Sequence, residues 1–427
     1  MLVKYKYLFL LVFILLIGSC KIFEKRTVPR NLQRIYNPAS TSIHPETAVY
    51  NISDSSSLIV EKVYAKELLY NKANNENKLL ARVLIKYNLY DLDNKQELID
   101  SLTTTYKIEK NSEKLFYTFE IPVNAVKGKD YLLEIINKDQ NRDSRQFTFY
   151  RISRSKEINS QDFIIFNVNN QDYLTNHFIK RGIPFGIKHY KKTFEDLNVF
   201  YFKKDEYIPE PPHIKDTLAE NFSNTDTVWV CHLDSIEYEN FTKEGVYYFT
   251  SEEKPVNGIA LYNFRTGFPI VQTPDQLFKP LKYLGNNELI PENDTTGKLT
   301  KLAVDEFWLE RTNNVNKSRE LLKEYYRRLT FANMYFTSFK EGWQTDRGMI
   351  YIVYGLPDYL YKAGDVERWI YNPTSIGPGI SFSFKYKKNL FSLNHYVLER
   401  DKIKTTGWDW EEAVKLWNSG EVFYYQN

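Results

Sequence analysis

The sequence predicts a mostly β, multidomain protein: an N-terminal Ig-like β-sandwich, a second β-rich region, and a C-terminal α+β domain with helices packed on an antiparallel sheet. Three observations predict it. Tyr, Phe and Trp make up 16% of the 427 residues, an enrichment that favours rings packed across strands. From Leu58 onward, short apolar or alternating runs are separated by polar turns, as in sandwich strands. After Leu302 the apolar period changes from two to about 3.6, the period of helices that need a sheet to cover. The length allows two to four domains, since single cores rarely grow past about 250–300 residues. With 57 basic against 54 acidic residues and no basic block, the chain carries no nucleic-acid footprint.

Lys4 and Lys6 precede an apolar run from Tyr7 to Ile17, followed by Gly18-Ser19-Cys20. The run is about half of the ~20 residues that span a bilayer, so residues 1–19 read as a signal peptide rather than a transmembrane helix. Ile17-Gly18-Ser19-Cys20 resembles a bacterial lipobox. The resemblance implies that Cys20 is the first mature residue and anchors the chain to a membrane through diacylglycerol and an N-acyl chain such as palmitate; several chains attach stably where one is marginal. Lys21 stands where an inner-membrane retention signal would have Asp. The implied address is the outer membrane of a Gram-negative bacterium, on its periplasmic or its surface face. With Cys20 lipidated, Cys231 has no partner for an intrachain disulfide.

Residues 20–57 are rich in Asn, Pro, Ser and Thr and read as a tether, with Tyr36-Asn37-Pro38 and Ile43-His44-Pro45 able to dock on the domain that follows. The sandwich spans 58–153, with strands at 58–69, 80–90, 102–108, 115–123, 131–136 and 145–151. Residues 139–143 imitate the start of a calcium loop, but Ser144 replaces its Gly and Tyr150 its bidentate Glu, so a hairpin turn is expected. The second region spans 160–296, with strands at 162–168, 197–202, 228–232, 246–250 and 260–262. Cys231 and His232 point to opposite faces of one strand, so they read as a core thiol beside an exposed imidazole rather than a nucleophile and its base. Asp-Ser/Thr-apolar triplets hold Ser101, Thr217, Thr227 and Ser235, with Thr295 as a near relative. These resemble the O-glycan acceptor of certain Gram-negative envelope proteins; polar turn chemistry at strand ends is the other reading.

The C-terminal domain spans 297–427. Asn313, Asn314 and Asn316 divide its helical stretch. The first helix carries Phe307 and Trp308; the second sets Leu322, Tyr325, Leu329, Ala332, Phe336 and Phe339 on one stripe. Gly342 is expected to end that helix in the left-handed conformation, with Trp343 folded back on the last turn. Thr345 and Asp346 brace a turn, Arg347 pairs with a carboxylate, and Gly348 lets the backbone pass closely. Residues 349–354 read as a central strand and Gly355-Leu356-Pro357-Asp358 as a turn. Antiparallel strands follow at 367–371, 380–386 and 394–398. Asp409 and Glu412 fit a capping pair for a terminal helix with Trp410, Val414 and Trp417 on one face.

The run Gly342-Trp343-Gln344-Thr345-Asp346-Arg347-Gly348, continued by Gly355, Pro357, Asp358, Glu367 and Trp369, closely resembles the signature of the GWxTD domain family. The resemblance implies an envelope protein with β-rich N-terminal regions and this domain at the C-terminus, and it transfers no activity. Two readings of the cluster stay open. Asp346, Arg347, Asp358 and Glu367 line a cleft, or Asp346 and Arg347 satisfy backbone and each other in a structural corner. The histidines at 44, 177, 189, 213, 232 and 395 have no metal-ligand spacing, and no nucleophile elbow or Walker loop occurs. No catalytic residue, metal or cofactor is therefore assigned. The expected function is a non-catalytic interaction or assembly module of the cell envelope with a protein partner. A glycan- or peptidoglycan-binding lipoprotein is the alternative, and a hydrolase with a site near the GWxTD turn comes third.

Overall fold

The computed structural model describes residues 30–422 except 73–77, 94–96, 155–157, 216–224, 234–235, 237, 266, 286–295, 372–378 and 403–406. The expected signal peptide, Cys20, Thr217, Ser235 and Thr295 lie outside the described residues.

Period-two alternation builds the sandwich. Its strands are β1 (Glu46–Asn51), β2 (Ser56–Tyr64), β3 (Asn71–Lys72), β4 (Leu79–Asp91), β5 (Leu98–Glu109), β6 (Phe116–Asn124), β7 (Asp130–Asp139) and β8 (Ser144–Ser153). One sheet has the order β1-β2-β6; the other runs β5-β4-β7-β8, with β3 added to β4. Three antiparallel strands thus face five, the two-residue β3 included, an Ig-like arrangement. Along β4, Ala81, Val83, Ile85, Tyr87 and Leu89 all enter the core between the sheets. The 139–143 stretch is the expected hairpin: the Asp139 carboxylate accepts the backbone N–H groups of Leu69 and Asn141.

One carboxyl is enclosed in this sandwich. Glu61 is 0% exposed, and its oxygens accept from Thr47 Oγ1 at 2.6 Å and Asn137 Nδ2 at 3.0 Å. Burial pushes its pKa up to about 7, against the lowering effect of those two bonds. The native state therefore keeps a proton that the unfolded chain releases near the ordinary carboxylate value, and the stability this contributes is lost as pH rises through about 7. Glu61→Gln is expected to be more stable than the parent by about 3 kcal/mol at pH 8, with little gain at pH 4.5. Urea melts at the two pH values check it, and equal differences would mean that Glu61 is ionised in the fold.

The tether expected over 20–57 does not extend that far. From Arg30 the chain is built into the fold. Ile35 and Tyr36 are buried in the C-terminal core, Ile43 in the sandwich core, and 46–51 form β1. Pro45 and the scarcity of apolar residues hide a strand whose burial comes from a non-local partner sheet.

The second region pairs β9 (Phe163–Asn167) with β10 (Phe185–His189). Beside it lies a sheet of β11 (Asp196–Lys203), β12 (Thr227–His232), β13 (Gly245–Thr250) and β14 (Gly258–Asn263), in the order β12-β11-β13-β14. Cys231 is buried, and burial together with the Asp196 charge pushes its thiol up to about 11; His232 is exposed and bonded to Asp196. The other face of this sheet, with Phe200, Phe202 and Tyr248, packs against Phe339 and Phe391. The core therefore runs on across residue 297.

The C-terminal unit contains α1 (Pro274–Phe278), α2 (Lys298–Thr312), α3 (Val315–Phe336), α4 (Asp346–Tyr354) and α5 (Gly407–Asn418). Its antiparallel sheet runs in sequence order through β15 (Tyr359–Ala363), β16 (Val366–Tyr371), β17 (Ile380–Tyr386) and β18 (Tyr396–Leu398). Asn313 takes the left-handed conformation that stops α2, and the Asn314 side chain accepts from Asn316 N and Lys317 N to start α3. Three expectations are corrected here. Residues 349–354 are not a strand but the body of α4, buried on every side. Phe339 lies beyond the end of α3 and faces the second sheet. Asp409 sits inside the first turn of α5 rather than capping it. Among the described residues no helix is long and apolar enough to cross a membrane.

Candidate functional site

The corner from Glu341 to Gly348 joins α3 and α4 to the sheet of the second region and to the C-terminal sheet. Gly342 does not end α3 in the left-handed region as expected. It is glycine because a Cβ there would lie 1.9 Å from the Ala332 carbonyl oxygen, so the returning chain rests directly on α3. Asn333 fastens it, its Oδ1 accepting from Trp343 N at 3.0 Å. Gly348 repeats the device one layer up, since its Cβ would meet Gly342 O at 1.9 Å. Between them Thr345 caps α4: its Oγ1 accepts from Gly348 N at 3.0 Å and donates to Gly342 O at 2.7 Å.

The polar side chains of the corner are bonded into the fold, with Gln344 Oε1 and Arg347 Nε the two buried atoms there that have no hydrogen-bond partner. Trp343 is 6% exposed, packs edge-on to Tyr283 and donates Nε1–H to Glu341 Oε2 at 3.1 Å. Glu341 also pairs with Arg265 at 3.0 Å and Lys204 at 2.6 Å, which ties the corner to β14 and β11. Asp346 and Arg347 do not satisfy each other. The Asp346 carboxylate accepts from Leu398 N at 2.8 Å and from Arg400 at 2.7 Å. Arg347 turns the other way, donating to Asn394 O and Oδ1 at 2.9 and 2.6 Å and meeting Glu367 at 3.5 Å.

Glu367 is the centre of that second group. It is 0% exposed, and its two oxygens accept from Trp369 Nε1 (2.7 Å), Lys362 Nζ (2.6 Å) and Tyr36 Oη (3.1 Å). Burial alone would raise its pKa, but the Lys362 and Arg347 charges reverse this and hold the carboxyl below the ordinary range. The Asp358 backbone donates its N–H to Ile370 O and accepts from the Asn31 amide at its carbonyl. Gly355 takes positive φ after α4, and a Cβ there would press on the Arg328 guanidinium. That guanidinium and Trp417 Nε1 serve the last carbonyls of α4, at Ile352 and Val353. Pro357 is buried in the following turn.

Tyr36 is the residue that sequence reasoning could not place here. Its ring lies 4.8 to 5.7 Å from Phe336, Tyr335 and Trp369, and its carbonyl accepts from Tyr351 Oη. Upstream, Leu32 N donates to Leu360 O at 2.8 Å and the Asn31 amide bridges Asp358 and Leu360. Residues 31–36 therefore add to the edge of β15 and close the C-terminal domain from outside. A cavity of about 380 Å³ opens beside this strap, where the strap, sandwich, second β region and C-terminal unit meet. Among the described residues no group of three His, Cys, Asp or Glu is placed to hold a metal ion. Ser101 and Thr227 are exposed on the outer strands β5 and β12.

The model of the GWxTD domain family matches residues 245–419. The chain is a GWxTD domain-containing protein. The match begins at β13 and takes in the last two strands of the second sheet as well as the helices and sheet that follow. Comparison with curated proteins gives no match. Among solved structures, a crystal structure of Bacteroides uniformis beta-glucuronidase matches at 10% identity over 35% of this chain and 15% of that one, with a TM-score of 0.18. Bacteroides uniformis beta-glucuronidase 2 covalently bound to cyclophellitol-6-carboxylate aziridine gives the same values, and a calcium-binding mutant of it has a TM-score of 0.17. The chain thus spans about 15% of the length of the solved structures it matches, and a likeness this slight carries no argument about the GWxTD segment.

Proposed function

We propose that the protein is a non-catalytic interaction or assembly module of a Gram-negative cell envelope, anchored to the outer membrane by a lipid on Cys20. The observation that carries this reading is the strap: residues 31–36 are clamped onto the GWxTD domain through Leu32, Asn31 and Tyr36. Cys20 precedes Arg30 by ten residues, a reach of at most about 35 Å when fully extended. A lipid at Cys20 would hold the GWxTD domain close to the bilayer. The motif supports the same reading, because Thr345, Asp346 and Arg347 bond to the backbone and side chains that join helices and sheets, which makes a rigid body that presents surfaces.

Two measurements test this. Cys20→Ala is expected to move the protein from the membrane fraction to the soluble fraction; a variant still sedimenting with membranes overturns the anchor. A tagged, lipidated chain purified from mildly solubilised envelopes is expected to bring down a stoichiometric protein partner. A folded and abundant chain that captures none overturns the assembly role.

A further inference from the structure

The C-terminal sheet buries one face and shows the other. Leu360, Trp369, Phe382, Phe384 and Leu398 point into the core shared with α3 and α4, and the alternation along each strand sends their neighbours outward. The register sets Tyr359 beside Ile370, Tyr361 beside Arg368, and Val366 beside Lys385 on that outer face. None of the six is buried, and the Tyr359 and Tyr361 rings are stacked with centroids 6.2 Å apart.

Charge sets this face apart from an ordinary solvated one. The chain is nearly balanced, with 57 basic and 54 acidic residues, yet the outward positions of β15 to β18 hold Arg368 and Lys385 and no Asp or Glu. Arg34 stands exposed on the strap that borders β15. None of these three cations makes an ion pair among the described residues. The carboxylates at the margins are engaged, Asp365 by Arg151 and Asp358 and Glu399 by partners of their own. The strap also fixes where the chain goes next. The Asn31 side chain bonds both Asp358 O and Leu360 N and so brackets Tyr359; from that corner of the sheet the chain continues toward Cys20.

We propose that this face lies on the bilayer and binds anionic phospholipid headgroups. Tyrosine suits that boundary, with an apolar ring and a polar tip, and Arg and Lys can reach phosphates while their stems cover the apolar rows between them. A cation held near an anionic leaflet favours binding about fivefold, so three favour it over a neutral surface by about a hundredfold. That is a weak contact alone and a strong orienting one beside an anchor. The choice of a membrane over a protein partner rests on the lipid at Cys20, which would hold the Tyr359 corner within reach of headgroups.

The test uses the full mature chain carrying Cys20→Ala, so that no lipid contributes, and vesicles of phosphatidylcholine alone or of phosphatidylcholine and phosphatidylglycerol in equal parts. Co-sedimentation is expected to show binding to the mixture that fades with salt, and none to phosphatidylcholine. Arg34→Gln, Arg368→Gln and Lys385→Gln are each expected to weaken binding about fivefold, and together about a hundredfold. Ser383→Lys adds a cation beside Arg368 and is expected to strengthen it about fivefold, so the inference does not hang on losses alone. Lys301→Gln, on the exposed side of α2, is expected to leave it unchanged. No binding to the mixture overturns the inference. So do equal binding to both vesicles, a triple variant that binds like the parent, or a Lys301→Gln as weak as Lys385→Gln. A face that instead pairs two copies of the chain would give a concentration-dependent dimer without vesicle binding, which overturns it too. The anchor is judged apart. Envelopes holding Cys20→Ala are washed in about 1 M salt, where the Debye length is ~3 Å, and protein still attached then counts against the lipid and not against this face.

Discussion

Glu367→Gln is expected to destabilise the protein by about 3–5 kcal/mol, because it removes one partner of a buried charge group and leaves the others uncompensated. The carboxylate accepts from Trp369, Lys362 and Tyr36 and faces Arg347. An amide in its place presents an NH2 to at least one of those donors, and the Arg347 and Lys362 charges stay in the core with no negative partner. The pH dependence follows from the depressed pKa. A carboxyl whose native pKa is lowered contributes stability above its ordinary value, and that contribution is lost as pH falls through the native one. The gap between parent and variant should therefore be full at pH 7 and shrink in acid. Urea melts at pH 7 and pH 3.5 measure it; a loss below about 1 kcal/mol at pH 7 would place the group in solvent-like surroundings.

The strands were largely legible and the corner was not, for the same physical reason. On β4 or β6 one face meets core and the other meets water or a polar neighbour, so alternation survives in the residue order. Met349 to Tyr354 in α4 meet core on all sides, at no more than 4% exposure. An apolar run with no period, rich in β-branched and aromatic residues, looks like a central strand. The signal that separates the two was present at its ends, where Thr345 caps, Asp346 opens the first turn and Gly355 stops the helix. Glycine could be read as demanding close approach at 348, but not which chain approached. The contact of Gly342 with Ala332, and of Gly348 with Gly342, exists only once α3 has turned back. The pairing of Tyr36 with Glu367 spans 331 positions. No local pattern encodes it, and the strap's short polar sequence resembles a tether because its apolar partners belong to another domain.

Trp343→Ala is expected to cost about 3–5 kcal/mol, the range for truncating a buried aromatic, and to do so without exposing any charge. The indole fills the space between Tyr283 and the end of α3, while its backbone N–H and carbonyl hold Asn333 and the Tyr283 hydroxyl. Glu341 would lose one donor and keep Arg265 and Lys204, so the ion group beneath the ring should survive. Asp346→Asn is the informative companion. Asp346 ties α4 to Leu398 N and Arg400, bonds to a charged group worth about 1.5–3 kcal/mol. If the corner is architecture, both variants lose stability in urea, the tryptophan more than the aspartate, and any loss of partner binding tracks the unfolded fraction. If Asp346 acts on a ligand, Asp346→Asn keeps the parent's stability and loses binding while fully folded. The geometry favours the first outcome, because the carboxylate holds a donor from a different strand or turn on each oxygen and its side chain is only 10% exposed, which leaves it little surface to offer a substrate.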